Sequence, residues 1–150
     1  MQGGECLMNL FPFIQSDKNL DNIVSNDLPI YREVAWNYFD NEPIIENGDF
    51  KIVEGIEAIK VWVYKALLTS RYVYSIYSWE YGSEIVELIG KNYTNALTKE
   101  ECKRYIKEAL LINNYIKDVE ITDISLVDSK LTVNVKINTI YGSEEVNVNV

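Results

Sequence analysis

The sequence predicts an α+β fold, with two main helices and a short one packed on a largely antiparallel sheet and a β-meander before the helices. Apolar residues recur at helical spacing in the middle of the chain, and from Leu131 onwards they alternate with polar residues. The dipeptide Asn47-Gly48 between two apolar stretches predicts a tight hairpin near the start. With 150 residues, the chain is long enough for one domain with a buried core.

Residues 1–30 show no clear period and are predicted to form an extended arm, so that residues 31–150 make up a single domain. The apolar residues of this arm are Leu10, Phe11, Phe13 and Ile14. An arm of this kind gains order by lying on another surface, which is either a neighbouring protein or its own domain.

The first half of the domain is predicted to be a β-meander followed by a helix. Residues 31–39 alternate as a strand, and the strand after Asn47-Gly48 completes the meander. A helix is predicted over residues 54–70 because apolar residues recur every three to four positions. Glu54 and Glu57 would occupy its first turn, where carboxylates interact favourably with the helix dipole.

An aromatic-rich segment and a second helix follow. The alternation within residues 72–81 predicts extended structure, and Ser83 can cap a short helix over residues 83–89. The sequence TKEE that begins at Thr98 is a capping box, which predicts the start of a helix that ends near Ile112.

Three strands are predicted to close the chain, over residues 116–126, 131–138 and 144–150. The second strand places Leu131, Val133, Val135 and Ile137 on one face. The third strand alternates Val146, Val148 and Val150 with Asn147 and Asn149. Such a last strand either completes its own sheet or offers an edge to another chain, and residues 146–150 hold neither Lys nor Pro to protect that edge.

Composition excludes several classes of function. The net charge is −9 and no basic run exists, so neither nucleic acid nor an anionic membrane is an expected partner. The chain has no His, which excludes Ser-His and Cys-His nucleophile pairs and His-based metal sites. Cys6 and Cys102 are too few for a disulfide framework or a Cys-only metal site, and both are expected to be reduced thiols. We therefore expect no cofactor, no metal and no enzymatic activity.

Two local features keep other roles open. The aromatic segment is a candidate interface, and its candidate residues are Arg71, Tyr72, Trp79 and Tyr81. It could also be a carbohydrate-stacking surface or part of the core, and Arg71 could instead bond the helix's last carbonyls. The carboxylate pairs Glu54/Glu57 and Glu80/Glu84 leave a cell-wall hydrolase that uses an acidic pair, as glycosidases do, as a remote alternative.

An ordered series of short sequences resembles a known family. The series is VEGIEAIK at residues 53–60, LLTSRY at 67–72 and YGSEI at 81–85, followed by a second amphipathic helix and paired strands. In this order they resemble the lysozyme-like baseplate wedge and sheath-initiator family of contractile phage tails and tail-like bacteriocins, in its Gram-positive prophage branch. The similarity covers residues 32–149.

The resemblance implies a structural baseplate subunit that starts the sheath by exchanging strands with the first sheath ring. The residues implied in pairing are Val133, Val135, Ile137 and the last strand, Val146, Asn147, Val148, Asn149 and Val150. The implied partners are the sheath protein, other baseplate wedge proteins and tail tube or hub proteins. Assembly is expected in the bacterial cytoplasm, after which the subunit would be part of the released phage or tail-like particle. The alternative is an adaptor that binds only other baseplate proteins.

The chain departs from the family at one junction. Much of the family carries Glu-Pro-Arg between the second helix and the C-terminal strands, where this chain reads Asn113-Asn114-Tyr115. A contact that depends on the family's Arg therefore does not carry over to this chain.

Overall fold

The computed structural model describes residues 28–88, 95–127 and 130–150. The predicted arm through residue 27, including residues 10–14, lies outside the described residues, as do Cys6, the end of the predicted short helix and the turn at residues 128–129. The described elements are helices α1 (Ile56–Leu68) and α2 (Asn95–Leu110), a short 3₁₀ helix (Ile85–Leu88), and nine strands. The α+β prediction is confirmed.

Six short strands form three two-stranded ribbons that meet at one point. They are β1 (Arg32–Val34), β2 (Trp36–Asn37), β3 (Glu42–Pro43), β4 (Ile45–Glu46), β5 (Asp49–Phe50) and β6 (Ile52–Glu54). β1 pairs with β6, β2 with β3, and β4 with β5, all antiparallel. At the junction the Ala35 N–H donates to Lys51 O (2.7 Å), the Lys51 N–H to Ile44 O (2.9 Å), and the Ile44 N–H to Ala35 O (2.9 Å). These three hydrogen bonds satisfy main-chain N–H and C=O groups that would otherwise have no strand partner at the point where the ribbons meet.

The predicted strand over residues 31–39 was therefore wrong in two respects. It is broken at Ala35, and it ends at Asn37, because the Asn37 side-chain oxygen accepts a hydrogen bond from the Phe39 N–H (3.0 Å) and turns the chain. The predicted hairpin at Asn47-Gly48 is confirmed. Both residues have positive φ, 56° and 85°, as a type I′ turn requires.

Helix α1 begins two residues later than predicted. Glu54 belongs to β6, where it pairs with Arg32 (3.0 Å), so only Glu57 lies in the first helical turn. Gly55, with φ 64°, turns the chain from the strand into the helix. The helix ends at Leu68 because Thr69 adopts an extended conformation while its N–H still bonds to Lys65 O.

The aromatic segment does not form the predicted extended strand. It folds through turns, and Tyr72 has a positive φ of 66°. The predicted cap at Ser83 is present, since its hydroxyl accepts from the Ile85 N–H (3.0 Å), but the helix that follows is a single 3₁₀ turn over Ile85–Leu88.

Helix α2 starts before the predicted capping box. Thr98 is buried inside the helix rather than at its N-cap, so the local motif gave the wrong start. The helix ends at Leu110, and the Asn113 N–H then bonds to Leu110 O (3.2 Å).

The C-terminal strands form one antiparallel sheet in the order β7 (Ile116–Val127), β8 (Lys130–Thr139) and β9 (Gly142–Asn149). Register shifts in β7 between Ile116 and Asp118 and between Ile121 and Asp123 keep its apolar side chains on one face. The β8–β9 register has no shift, from Thr139 opposite Gly142 to Thr132 opposite Asn149.

The core lies between this sheet and the two helices. Helix α1 lies over β9 and α2 over β7, and the helices contact each other. Fully buried side chains from both layers fill the interface, among them Ile59, Leu67, Ile106, Leu110, Val133, Val135, Ile137 and Val148. Within the described ranges, no helix has the length and apolar character needed to cross a membrane.

Candidate assembly interface

The predicted strand-pairing residues divide between a central strand and an outer strand. Val133, Val135 and Ile137 lie in β8, whose backbone pairs with β7 on one side and β9 on the other, and their side chains are fully buried. These three residues therefore cannot pair with another protein themselves, and they contribute only by supporting the neighbouring strand β9. β7 and β9 are the two edge strands of this sheet, and β9, which the sequence offered for pairing, has one side that no described strand occupies.

The register shows which β9 residues offer main-chain groups along this open side. Leu131 and Val150 exchange two hydrogen bonds (3.0 and 2.8 Å), so Val150 faces β8. In an antiparallel ladder the direction alternates at each residue, and Val146 and Val148 therefore also face β8. The residues between them direct their N–H and C=O groups away from the sheet. These four outer-edge residues are Ser143, Glu145, Asn147 and Asn149.

The two faces of the outer edge have different chemistry. On the side of α1, Val148 is fully buried and Val146 nearly so. On the opposite side, the polar side chains of the outer-edge residues are exposed, and three of the four hydrogen-bond across to β8. The three cross-strand hydrogen bonds join Thr132 to Asn149 (2.9 Å), Asn134 to Asn147, and Asn138 to Ser143. A strand with one buried and one polar face is strongly held in register, so the edge is presented in a single position.

A second candidate surface is the loop that contains the predicted interface aromatics. Its base is closed where Ser70 and Ser83 form a parallel bridge. The Ser83 N–H donates to Thr69 O (2.8 Å), and the Arg71 N–H donates to Ser83 O (3.1 Å). Gly82 completes this base with φ 101°, and a Cβ there would lie 2.8 Å from Thr69 O. The loop is therefore fixed at its base, a feature that the spacing of aromatic residues did not reveal.

The tip of this loop exposes large apolar side chains. Tyr72, Val73, Tyr74, Ile76 and Trp79 are all more than half exposed, and Trp79 reaches 81%. Tyr72 packs against Trp79 (ring centroids 5.9 Å apart), and Tyr77 packs against Tyr81 (4.7 Å). The same aromatic residues line a cavity of about 250 Å³. Exposed aromatic groups on a fixed base are typical of protein contact surfaces.

Arg71 lies at the base of the loop and not at its tip. Its guanidinium Nε donates to Gly82 O (3.2 Å), and its Nη1 lies 3.7 Å from a Glu84 carboxylate oxygen. Only 11% of its side chain is exposed. The structure thus commits Arg71 to contacts within the chain. The other predicted interface residues differ in exposure, since Tyr72 and Trp79 are open and Tyr81 packs against Trp62 (6.0 Å).

A tyrosine cluster lies at the junction between α2 and β7, where the chain reads Asn113-Asn114-Tyr115. Tyr115 lies edge-on to Tyr31 (4.8 Å) and stacks on Tyr141 (6.2 Å), and its hydroxyl donates to Pro29 O (2.8 Å). The Tyr31 N–H donates to the Tyr141 hydroxyl (3.0 Å). Burial, with a smaller contribution from the charge of nearby Glu33, raises the pKa of Tyr31 to about 12. The cluster fixes the start of the described chain to the end of the C-terminal sheet.

Three of the four carboxylates considered for hydrolysis form ion pairs within the chain. Glu57 pairs with Lys60 (3.2 Å), and Glu54 and Glu84 pair with the arginines described above. In the part of the chain that the structure describes, no three His, Cys, Asp or Glu side chains come together as a potential metal site. Cys102 is fully buried, and this burial raises its pKa to about 11.

A small α+β domain with an open strand edge and a fixed, exposed aromatic loop defines a class of protein: a subunit that works by contact with other proteins. The comparison with protein families identifies the kind of assembly to which such a subunit belongs. A family model described as "Contractile injection system sheath initiator" matches residues 32–142. The chain therefore belongs to the contractile injection system sheath initiator family.

A curated relative agrees with this assignment. The chain is 36% identical over 123 residues to "Phage-like element PBSX protein XkdS" of Bacillus subtilis (strain 168), an alignment that spans 80% of this chain and 87% of that protein. The resemblance seen in the sequence is thus confirmed. The protein has a structural role in a phage-type contractile tail and is part of the particle.

Proposed function

We propose that this subunit starts the sheath by accepting a strand from the first sheath ring along the outer edge of β9. The open side of β9 carries the proposal, because Ser143, Glu145, Asn147 and Asn149 direct their main-chain groups away from the sheet. Assembly would take place in the bacterial cytoplasm, and the subunit would remain at the base of the sheath.

The geometry of the edge supports strand addition. Each outward-facing residue can exchange two main-chain hydrogen bonds with an antiparallel guest strand, so four residues offer about eight bonds. Neither Lys nor Pro occurs between residues 143 and 149 to block such pairing. A main-chain ladder also suits a contractile machine, because its bonds run along a covalent strand and do not depend on a few exposed side chains.

The test is a comparison of Asn147→Pro with Asn147→Ala in the operon that produces the particle. Both substitutions remove the side-chain hydrogen bond to Asn134. Only proline also removes the outward N–H and places its ring in the path of a guest strand. The bonds to β8 come from Val146 and Val148 and are kept in both variants.

Negative-stain electron microscopy of the particles then separates the outcomes. We expect sheathed particles with Asn147→Ala, and tubes with baseplates but no sheath with Asn147→Pro. Circular dichroism and urea unfolding of the purified variants check that both are folded. Sheathed particles of normal length with folded Asn147→Pro would refute strand addition at this edge.

The exposed aromatic loop favours a second function, that of an adaptor between baseplate proteins. Trp79 and Ile76, 81% and 86% exposed, would contact a wedge, tube or hub protein. The predicted contact of Leu10, Phe11, Phe13 and Ile14 with a neighbouring baseplate or tube protein remains part of the sheath-initiator proposal. Cross-links from β9 to wedge proteins alone, with none to sheath, would favour the adaptor over the sheath initiator.

A further inference from the structure

The outer edge of β9 also carries information about the strand that it accepts. We infer that the edge selects a strand that alternates apolar and polar residues and places a basic residue beside Glu145. This inference rests on the proposed strand addition, and it adds the chemistry that would distinguish the right strand from others.

The need for alternation follows from the two faces of β9. A residue directly opposite Val146 or Val148 in an added strand lies on the same face as they do, beside α1. A polar side chain there would lose water at the margin of a dry core, and an apolar one would extend the core. Residues opposite Asn147 and Asn149 meet a polar, exposed face. The guest strand must therefore alternate in the same way.

The preference for a basic residue follows from Glu145, the outer-edge residue whose side chain has no hydrogen bond or ion pair to the described residues. Ser143, Asn147 and Asn149 each hydrogen-bond to a β8 side chain. Glu145 lies opposite Lys136 in the register, but the described residues place no cation within ion-pair distance of its carboxylate. Its carboxylate is exposed and remains available to a side chain on the far side.

The surrounding charge acts in the same direction. Glu144 precedes Glu145 and points to the other face of β9, so one short stretch of the edge is acidic on both sides. The chain as a whole carries a net charge of −9. Opposite charges across a strand pair stabilise it and like charges destabilise it. A guest strand with Glu or Asp beside Glu145 is therefore disfavoured relative to one with Lys or Arg.

The test uses synthetic peptides and the full-length protein. One peptide has nine residues that alternate Thr and Val with Lys at the centre, a second has Glu at the centre, and a third has the composition of the first without the alternation. Each is titrated into ¹⁵N-labelled protein, whose mass of 17.4 kDa suits solution NMR. The shifts give an apparent Kd and identify the amide groups that take part.

Two charge variants make the comparison specific. Glu145→Lys reverses the charge at the edge, and Glu42→Lys makes the same change in net charge on β3, in the ribbon junction. We expect the Lys peptide to bind the wild-type protein about fivefold more tightly than the Glu peptide. Glu145→Lys should reverse this order and Glu42→Lys should leave it unchanged. The largest amide shifts should fall on Ser143, Glu145, Asn147 and Asn149.

The results separate this inference from the proposed function. If both alternating peptides shift the outer-edge amides equally in all three proteins, strand addition stands and selection by charge is overturned. A reversed order in Glu42→Lys as well as Glu145→Lys would reduce the effect to net charge and overturn the role of Glu145. If the non-alternating peptide shifts the outer-edge amides as strongly as the alternating ones, strand addition stands and the selection for alternation is overturned. If no peptide shifts the outer-edge amides, strand addition at β9 is itself contradicted.

Discussion

Replacing Gly82 with alanine is expected to lower the free energy of unfolding by about 3 kcal/mol, because two separate costs add at this position. The first is conformational. Gly82 has φ 101°, a region that residues with a Cβ rarely adopt, and holding a non-glycine residue there costs about 1–3 kcal/mol. The second is steric, because the new Cβ would lie 2.8 Å from Thr69 O and 3.1 Å from the main-chain nitrogen of Arg71.

The steric cost acts on the base of the aromatic loop. Thr69 O already accepts the Ser83 N–H at 2.8 Å, and moving it away from an added methyl group weakens that bond. Loss of one such hydrogen bond costs about 1 kcal/mol. The Arg71 guanidinium, which bonds to Gly82 O, would have to move with the backbone. The loop should therefore open at its base.

Gly48→Ala is the matched control. Gly48 also has a positive φ, 85°, but a Cβ there meets no atom within 4 Å. It should cost only the conformational term, about 1–2 kcal/mol. Urea unfolding of the wild type and both variants gives the two free-energy differences. If Gly82→Ala is no more destabilising than Gly48→Ala, the close approach at the loop base contributes nothing and the reasoning fails.

Three further predictions concern the core, pH and thiol chemistry. Val148→Ala should lower the free energy of unfolding by about 2 kcal/mol because Val148 is fully buried. Asn149→Ala, on the exposed face, should lower it by about 1 kcal/mol or less. Equal urea midpoints for the two variants would contradict the assigned faces. Because the pKa of Tyr31 is raised to about 12 in the folded protein, the unfolded chain loses the phenolic proton at a lower pH. The free energy of unfolding should therefore fall as pH rises from about 10 to 12. This fall should be smaller in Tyr31→Phe. The buried Cys102 thiol, whose pKa is raised to about 11, should react with iodoacetamide only after urea unfolding, which mass spectrometry of the labelled peptide can show; rapid labelling of the folded protein would contradict its burial.

The sequence predicted well those parts of the fold that depend on local patterns, such as the alternation of apolar and polar residues along a strand. Val133, Val135 and Ile137 alternate with polar residues, and the structure buries all three on one face of β8. The Asn47-Gly48 turn was also predictable, because few dipeptides adopt two successive positive φ values at low cost. In both cases the physical cause lies within a few neighbouring residues.

The parts that were missed depend on contacts between distant residues. The ribbon junction is closed by main-chain bonds among Ala35, Ile44 and Lys51, and no side-chain pattern encodes those bonds. The capping box at Thr98 is a real local preference, but the helix already exists upstream of it and buries Thr98, so longer-range packing overrides the local signal.

The sequence predicted which strand and which loop form the candidate interface, but not which of their residues face outwards. The alternation of residues 146–150 pointed to β9, but only the paired bonds between Leu131 and Val150 decide which residues face outwards. Two of the four outer-edge residues, Ser143 and Glu145, precede the stretch chosen from the sequence. For the aromatic loop, composition identified Tyr72 and Trp79, and the structure added Gly82, whose role depends on the closeness of Thr69 O.

If β9 accepts a strand as proposed, its open edge has to avoid two errors: deformation before binding and pairing with the wrong strand. The first is countered by packing, since Val148 is fully buried beneath α1 and holds β9 in place, so little conformational entropy remains to be lost when a guest strand binds. The second is countered by charge. Natural edges are usually guarded by Lys or Pro, whereas this edge carries Glu144 and Glu145. Carboxylates discourage acidic strands, including other copies of this acidic chain, and favour a basic strand. Under the proposed strand addition, the carboxylates that stand where Lys or Pro would block the edge would therefore also restrict which partner it accepts.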